Sequence, residues 1–160
     1  MTYSAMNTSS EGPFRRILVG WDAKDISTHA FVIAAQLARS CHAELLAVSI
    51  ARIPDHAESL EEREASRVAA ERFYRDRLGV LHRAAERAGV TFHHAVVPSM
   101  HRPEAIIAYA RDHACDLIVL GSHHRDGGGF SRLLSGMVSE AVVRGSPHPV
   151  LLIPGPPGEE

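Results

Sequence analysis

DLIVLGSHHRDGGGF, residues 116–130, is the stretch that decides the fold. Its first seven residues form an apolar, β-branched run that stops at a glycine and a serine. That is the pattern of a strand buried on both faces. A glycine-rich loop follows, and a helical spacing then begins near Ser131 and buries Leu134, Val138, Ala141 and Val142. Strand, glycine turn and helix in this order make the repeating unit of a parallel sheet.

The rest of the chain repeats that alternation. RILVGW, residues 16–21, is a second short apolar run ending near a glycine, and Ser27 or Thr28 can cap the helix after it. In that helix Ala30, Ile33, Ala34, Leu37, Ala38 and Cys41 recur at spacings of three and four. ELLAVSI (44–50) is a third strand candidate, closed by Pro54. From Ser59 to about Ala88 one long helix is predicted, opened by the capping-box pair Ser59 and Glu62. Its inner stripe is Ala65, Val68, Ala69, Phe73, Leu78, Leu81 and Ala85, with Gly79 a weak point and Gly89 the stop. VTFHHAVV (90–97) carries polar residues in its middle, which suits an edge strand, and Pro98 ends it. Pro103 opens a helix through about His113, with Ile106, Ile107 and Ala110 inward. HPVLLIP (148–154) is the last strand.

Five strands separated by four helices run parallel with right-handed crossovers. The expected fold is therefore α/β: a doubly wound, mostly parallel five-stranded sheet, with the two most apolar runs, strands one and four, as central neighbours. Residues 14–155 form a single domain, with polar tails at 1–13 and 156–160 and no internal repeat.

Composition narrows the function classes. The chain has 160 residues, 45% hydrophobic and 22% charged, which suffices for one core without disulfide staples. A net charge of -2 supplies no field that recruits nucleic acid or an anionic membrane. No window reaches the roughly 20 apolar residues of a membrane span, and the first 13 residues lack the regions of a secretory signal. Cys41 and Cys115 stand apart in apolar surroundings and read as core residues of a cytoplasmic protein. The eleven histidines are scattered, and adjacent His93 and His94 would point to opposite faces of a strand, so no metal site is expected. The sole lysine, Lys24, follows Ala23, so there is no G-K-(S/T) phosphate loop, and no G-x-S-x-G elbow is present. A receiver domain is disfavoured because strand three ends in AVVPSM without an acceptor aspartate and the last strand lacks the expected lysine. The arginine-rich stretch 63–87 reads as a solvated helix face rather than a nucleic-acid patch.

In a doubly wound sheet, ligands bind beyond the carboxyl ends of the strands where strand order reverses. Strands one and four deliver Asp22 on one side and Gly121 with Ser122 on the other. A glycine-rich turn feeding a helix N-terminus offers free N–H groups and the positive end of a dipole to phosphate, and Asp22 could accept from a ribose hydroxyl. Each feature has a plainer reading. Gly127, Gly128 and Gly129 also suit a surface turn, and Asp22 also suits a turn-capping aspartate.

ILVGWD with its alanine-rich helix, MHRPEAIIAYARDHACDLIVLGSHHRD and FSRLLSGMVSEAVVRGSPHPVLLIP resemble the corresponding segments of universal stress proteins, over roughly Phe14 to Pro154. The resemblance implies a Rossmann-like fold of the adenine nucleotide alpha hydrolase type. Nucleotide-binding members share a loop written G-x2-G-x9-G-(S/T). This chain keeps Gly121 and Gly136, but His124 stands at the second glycine, the following spacer is longer, and Met137 replaces the hydroxyl residue. Val138 and Ser139 fit the pattern again. A Cβ at His124 can block close approach to phosphate and Met137 removes a donor, while Gly127 could take over the turn with His123, Arg125 and Arg132 nearby.

By the same resemblance Gly20, Trp21 and Asp22 lie at the adenosine end, Val48 lies beside the base, and Leu120 and Gly121 lead into the phosphate loop. Trp21 could stack on an adenine or fill the pocket. The implied function is a stress-response sensor or regulator binding ATP or another adenine nucleotide, with Mg²⁺ as a possible companion and any ATP hydrolysis slow. It also implies a homodimer, in which the last strand, Val150, Leu151, Leu152 and Ile153, pairs with its symmetry mate. The alternative is a nucleotide-free, homodimeric protein-interaction module with an occluded pocket.

Overall fold

A computed structural model describes residues 12–53, 59–122 and 137–155. Five parallel strands, β1 Arg16–Gly20, β2 Glu44–Arg52, β3 Phe92–Ser99, β4 Leu117–Ser122 and β5 Val150–Pro154, lie in the order β3-β2-β1-β4-β5. β1 is the central strand, because Ile17, Leu18 and Val19 are fully buried and apolar enough to be covered on both faces. It pairs with β2 from Arg16↔Glu44 to Gly20↔Val48 and with β4 from Ile17↔Leu117 to Val19↔Val119. The Asp116 carboxylate fastens the start of the central pair by accepting from the main-chain N–H groups of Arg15 and Arg16.

Alternate side chains of these strands feed two cores. Ile17, Val19, Leu45, Ala47, Leu117 and Val119 pack under α1 (Asp25–Cys41), α2 (Leu60–Arg75) and α3 (Gly79–Ala88). Leu18, Leu46, Val48, Ile118 and Leu120 pack under α4 (Arg102–Asp112) and α5 (Met137–Gly145). Strand order thus reverses between β1 and β4, with helices on both faces. The predicted class holds, and so does the edge position of the third strand. Both cysteines are buried and free, and no helix among the described residues is long and apolar enough to cross a membrane.

Four expectations are corrected. The described residues contain five helices rather than four, because the chain turns at 76–78 and Gly79 opens a new helix instead of bending one. Ser59 and Glu62 do form the capping box, and Gly89 closes α3 in the left-handed conformation. The predicted inner stripe of α2 faces outward: Val68 is 51% and Phe73 43% exposed, and Tyr74 is the only buried residue of that helix. Pro98 does not end β3, since an edge strand has one side on which the missing N–H costs no ladder bond. Finally, α1 begins one turn earlier than a Ser27 or Thr28 cap would place it, with Lys24 at the cap and Ser27 inside the first turn. The expected helix start near Ser131 lies outside the described residues, within which α5 begins at Met137.

Candidate functional site

A crevice of about 260 Å³ opens beyond the carboxyl ends of β1, β2 and β4. Gly20, Trp21, Asp22, Val48, Leu120, Gly121, Val138 and Ser139 all line it, so the structure brings together eight residues singled out from sequence. Met137 opens the helix that carries Val138 and Ser139. His124, Gly127 and Gly136 lie outside the described residues. Val48, Ile50, Ile106 and Leu120 give the crevice an apolar floor, and Lys24, Ile26, Ser27, Tyr74 and Arg102 complete its rim. The first turns of α1, α4 and α5 all reach this end of the sheet, and a helix N-terminus carries roughly half a positive charge. Lys24 and Arg102 add two cations, so the rim favours an anionic guest beside a floor that favours an apolar one.

Gly121 is there for packing. A Cβ on it would lie 2.6 Å from Ile26 Cγ2 and 3.0 Å from the Ile26 carbonyl carbon and oxygen. The first turn of α1 therefore sits directly against β4, and only a glycine allows it. Gly20 is less strictly constrained, because its Cβ would meet only the Leu120 Cδ2 methyl, at 2.5 Å, the end of a side chain that can shift.

Asp22 serves the turn that it begins. Its Oδ1 accepts from the Ser27 hydroxyl at 2.5 Å and from the Lys24 N–H at 3.1 Å. Its own N–H donates to Ser27 Oγ at 3.2 Å. Ala23 between them has φ 65, a left-handed conformation that an L-residue adopts at a cost of about 1 kcal/mol. The turn-capping reading of Asp22 is thus realised, yet among the described residues Oδ2 has only the Lys24 ammonium, 4.0 Å away, for company. That oxygen remains able to accept from a ligand hydroxyl.

Trp21 forms part of the wall. Its indole N–H donates to Thr28 Oγ1 on α1 at 3.0 Å, and its rings lie 5.7 Å from Tyr74 and 5.6 Å from His94. So fixed, and 2% exposed, the side chain belongs to the core under α1 and α2 and leaves the crevice open. Behind it runs a polar relay. Ser49, fully buried, donates its hydroxyl proton to the Trp21 carbonyl at 2.7 Å. Its oxygen must therefore accept from His94 Nε2, 2.9 Å away, which makes Nε2 the protonated nitrogen of the neutral ring. Burial holds the His94 pKa below its usual value. Burial, followed by the Asp22 charge, pushes the Tyr74 phenol up, while Arg102 pulls the other way.

Ser49, Tyr74, His94 and Arg102 were missed as site residues. Ser49 offered a signal, being a lone hydroxyl within an apolar strand. Tyr74 offered none, since it stands beside the stripe that the periodicity selected. Among the described residues no group of three or more His, Cys, Asp or Glu could hold a metal ion.

The universal stress protein family model matches residues 13–154. Universal stress protein MJ0531 of Methanocaldococcus jannaschii is 26% identical over 155 residues, covering 94% of this chain and 88% of that protein. A protein from the universal stress protein family of Burkholderia pseudomallei superposes with a TM-score of 0.61 at 27% identity, over 87% of this chain and 95% of the other. A universal stress protein solved in complex with cAMP gives a TM-score of 0.62 at 23% identity, over 88% and 96%.

Two predictions follow from the crevice walls. Gly121→Ala should destabilise the protein by about 1–3 kcal/mol in urea unfolding, because the new methyl meets the α1 backbone; an unchanged midpoint would disprove the close approach. The second concerns His94, whose folded pKa lies below its unfolded value near 6.5, so the unfolded chain binds its proton more readily. Its contribution to stability is complete above about pH 6.5 and drains away as pH falls towards the folded value. Urea midpoints measured from about pH 7.5 to 5 should fall less steeply for His94→Gln, whose amide can still donate to Ser49, than for the wild type.

Proposed function

Because the chain belongs to the universal stress protein family, we propose that it is a stress-response module that holds ATP or a related adenine nucleotide in the crevice between β1 and β4. What carries the reading is the meeting, in one hollow, of an apolar floor at Val48 with a carboxylate at Asp22 and the first turn of a helix at Val138 and Ser139. The base lies on Val48 and Ile50, Oδ2 of Asp22 accepts from the ribose, and the start of α5 faces the phosphates, with Mg²⁺ as their counter-ion. The cAMP held by a solved relative of the same fold supports an adenine nucleotide as guest. The role is holding and reporting, with any hydrolysis slow.

A second reading, a nucleotide-free interaction module, draws support from the engagement of Asp22 Oδ1 with Ser27 and Lys24. In either reading the chain is a homodimer through β5, the strand at the edge of the sheet, whose outer row of backbone groups is completed by its symmetry mate.

Isothermal titration with ATP, ADP and AMP, with and without Mg²⁺, separates the two. Micromolar binding that Asp22→Ala weakens by about ten-fold or more is the expected result. Silence of the wild type at millimolar nucleotide would leave the interaction module standing. For the dimer, a Leu152→Arg variant whose circular dichroism is native should sediment as a monomer, and a persisting dimer would refute the β5 interface.

A further inference from the structure

We propose that the outward apolar face of α2 is a homotypic interface, on which the same helix of a second copy of this chain docks antiparallel. This goes beyond nucleotide holding and uses a different surface. The amphipathic pattern of α2 is real, but the stripe it creates is turned away from the sheet: Leu60 is 84%, Val68 51% and Phe73 43% exposed. Only Tyr74 ties the helix to the core. An amphipathic helix held down by its other side presents an apolar stripe that association would remove from water.

The charges say what covers it. Glu61 and Arg72 stand about three helical turns apart on one side of α2, with the small residues Ala65 and Val68 between them. Neither makes an ion pair among the described residues, whereas their neighbours Glu64, Arg67 and Glu71 are bonded to one another. A dyad midway between positions 61 and 72 lays Glu61 of each copy on Arg72 of the other, and Ala65 on Val68. An acidic start and a basic end on one stripe are self-complementary under a two-fold axis, which is what an isologous contact requires. A partner of any other kind would need no such symmetry. The Arg77 guanidinium, 3.6 Å from the centre of the Phe73 ring, covers one face of that ring and closes the flank of the stripe. One helix face is small beside the roughly 1,200–2,000 Å² of stable interfaces, so the contact forms only at high concentration.

Sedimentation velocity over a concentration series tests the proposal, with self-association read as the concentration-dependent step beyond the β5 dimer. Glu61→Arg and Arg72→Glu should each weaken self-association about ten-fold, by setting like charges opposite one another at both ends. The double variant E61R/R72E should restore it to within about two-fold of the wild type. Val68→Glu should abolish it while the circular dichroism stays native. Single reversals without effect, or a double variant as weak as the singles, would overturn the proposal. So would a wild type of constant mass whose Val68→Glu variant loses only thermal stability, because the stripe would then be covered by a segment of its own chain. Nucleotide titration is expected to be the same in all these variants, so this outcome and that of the crevice are read separately.

Discussion

Everything in this molecule depends on β1 and β4 lying side by side while the helices that follow them cross to opposite faces of the sheet. Two parallel strands whose connections diverge leave a gap above their carboxyl ends that neither helix fills. The gap is kept narrow by contact: Gly121 has no side chain, so the first turn of α1 closes directly on β4. It is kept in register at the opposite end by Asp116, which holds the starts of both strands through main-chain N–H groups. A crevice built this way is a by-product of topology, and the residues on its rim then decide what it holds.

That topology was legible because the strands are apolar on both faces, and a run such as Leu117–Leu120 has little other use in a chain of this size. The edge strand β3 was legible for the opposite reason: its polar residues announce a side that meets water. What misled was α2. Its periodicity is a true amphipathic signal, but period alone says that a helix has an apolar side and not which object that side faces. Tyr74, one position off the stripe, is the anchor, its ring packed against both Trp21 and His94, which also touch each other. The break at 76–78 was likewise invisible to a period count, since Leu78, Leu81 and Ala85 continue a helical spacing across it.

The crevice was legible in its floor and in its glycines, and less so in its rim. Gly121 and Asp22 follow from where strands end, whereas Gly20, Val48, Leu120, Val138 and Ser139 were reached only through the resemblance to universal stress proteins, and all of them line the crevice. Tyr74, Arg102 and His94 come from elements whose lateral position only the fold supplies. The glycines also illustrate a limit on motif reasoning. Gly121 stands at the first position of a nucleotide-loop pattern, yet its contacts with Ile26 would demand glycine in the absence of any ligand. Presence of that residue is therefore evidence for the fold before it is evidence for a guest.

Asp22 shows how one side chain can belong to both accounts. A carboxylate has two oxygens and room for several donors. Here Oδ1 accepts from Ser27 and from the Lys24 N–H, and those bonds hold Ala23 in its left-handed turn. The same bonds fix the rotation of the carboxylate, so Oδ2 is aimed rather than free to wander, and a ligand hydroxyl would meet an acceptor whose ordering cost is already met within the fold. The strain at Ala23 is the local expense of that placement. Capping the turn and lining the crevice are consequently one arrangement here, because the turn that needs Asp22 also sets it at the crevice rim.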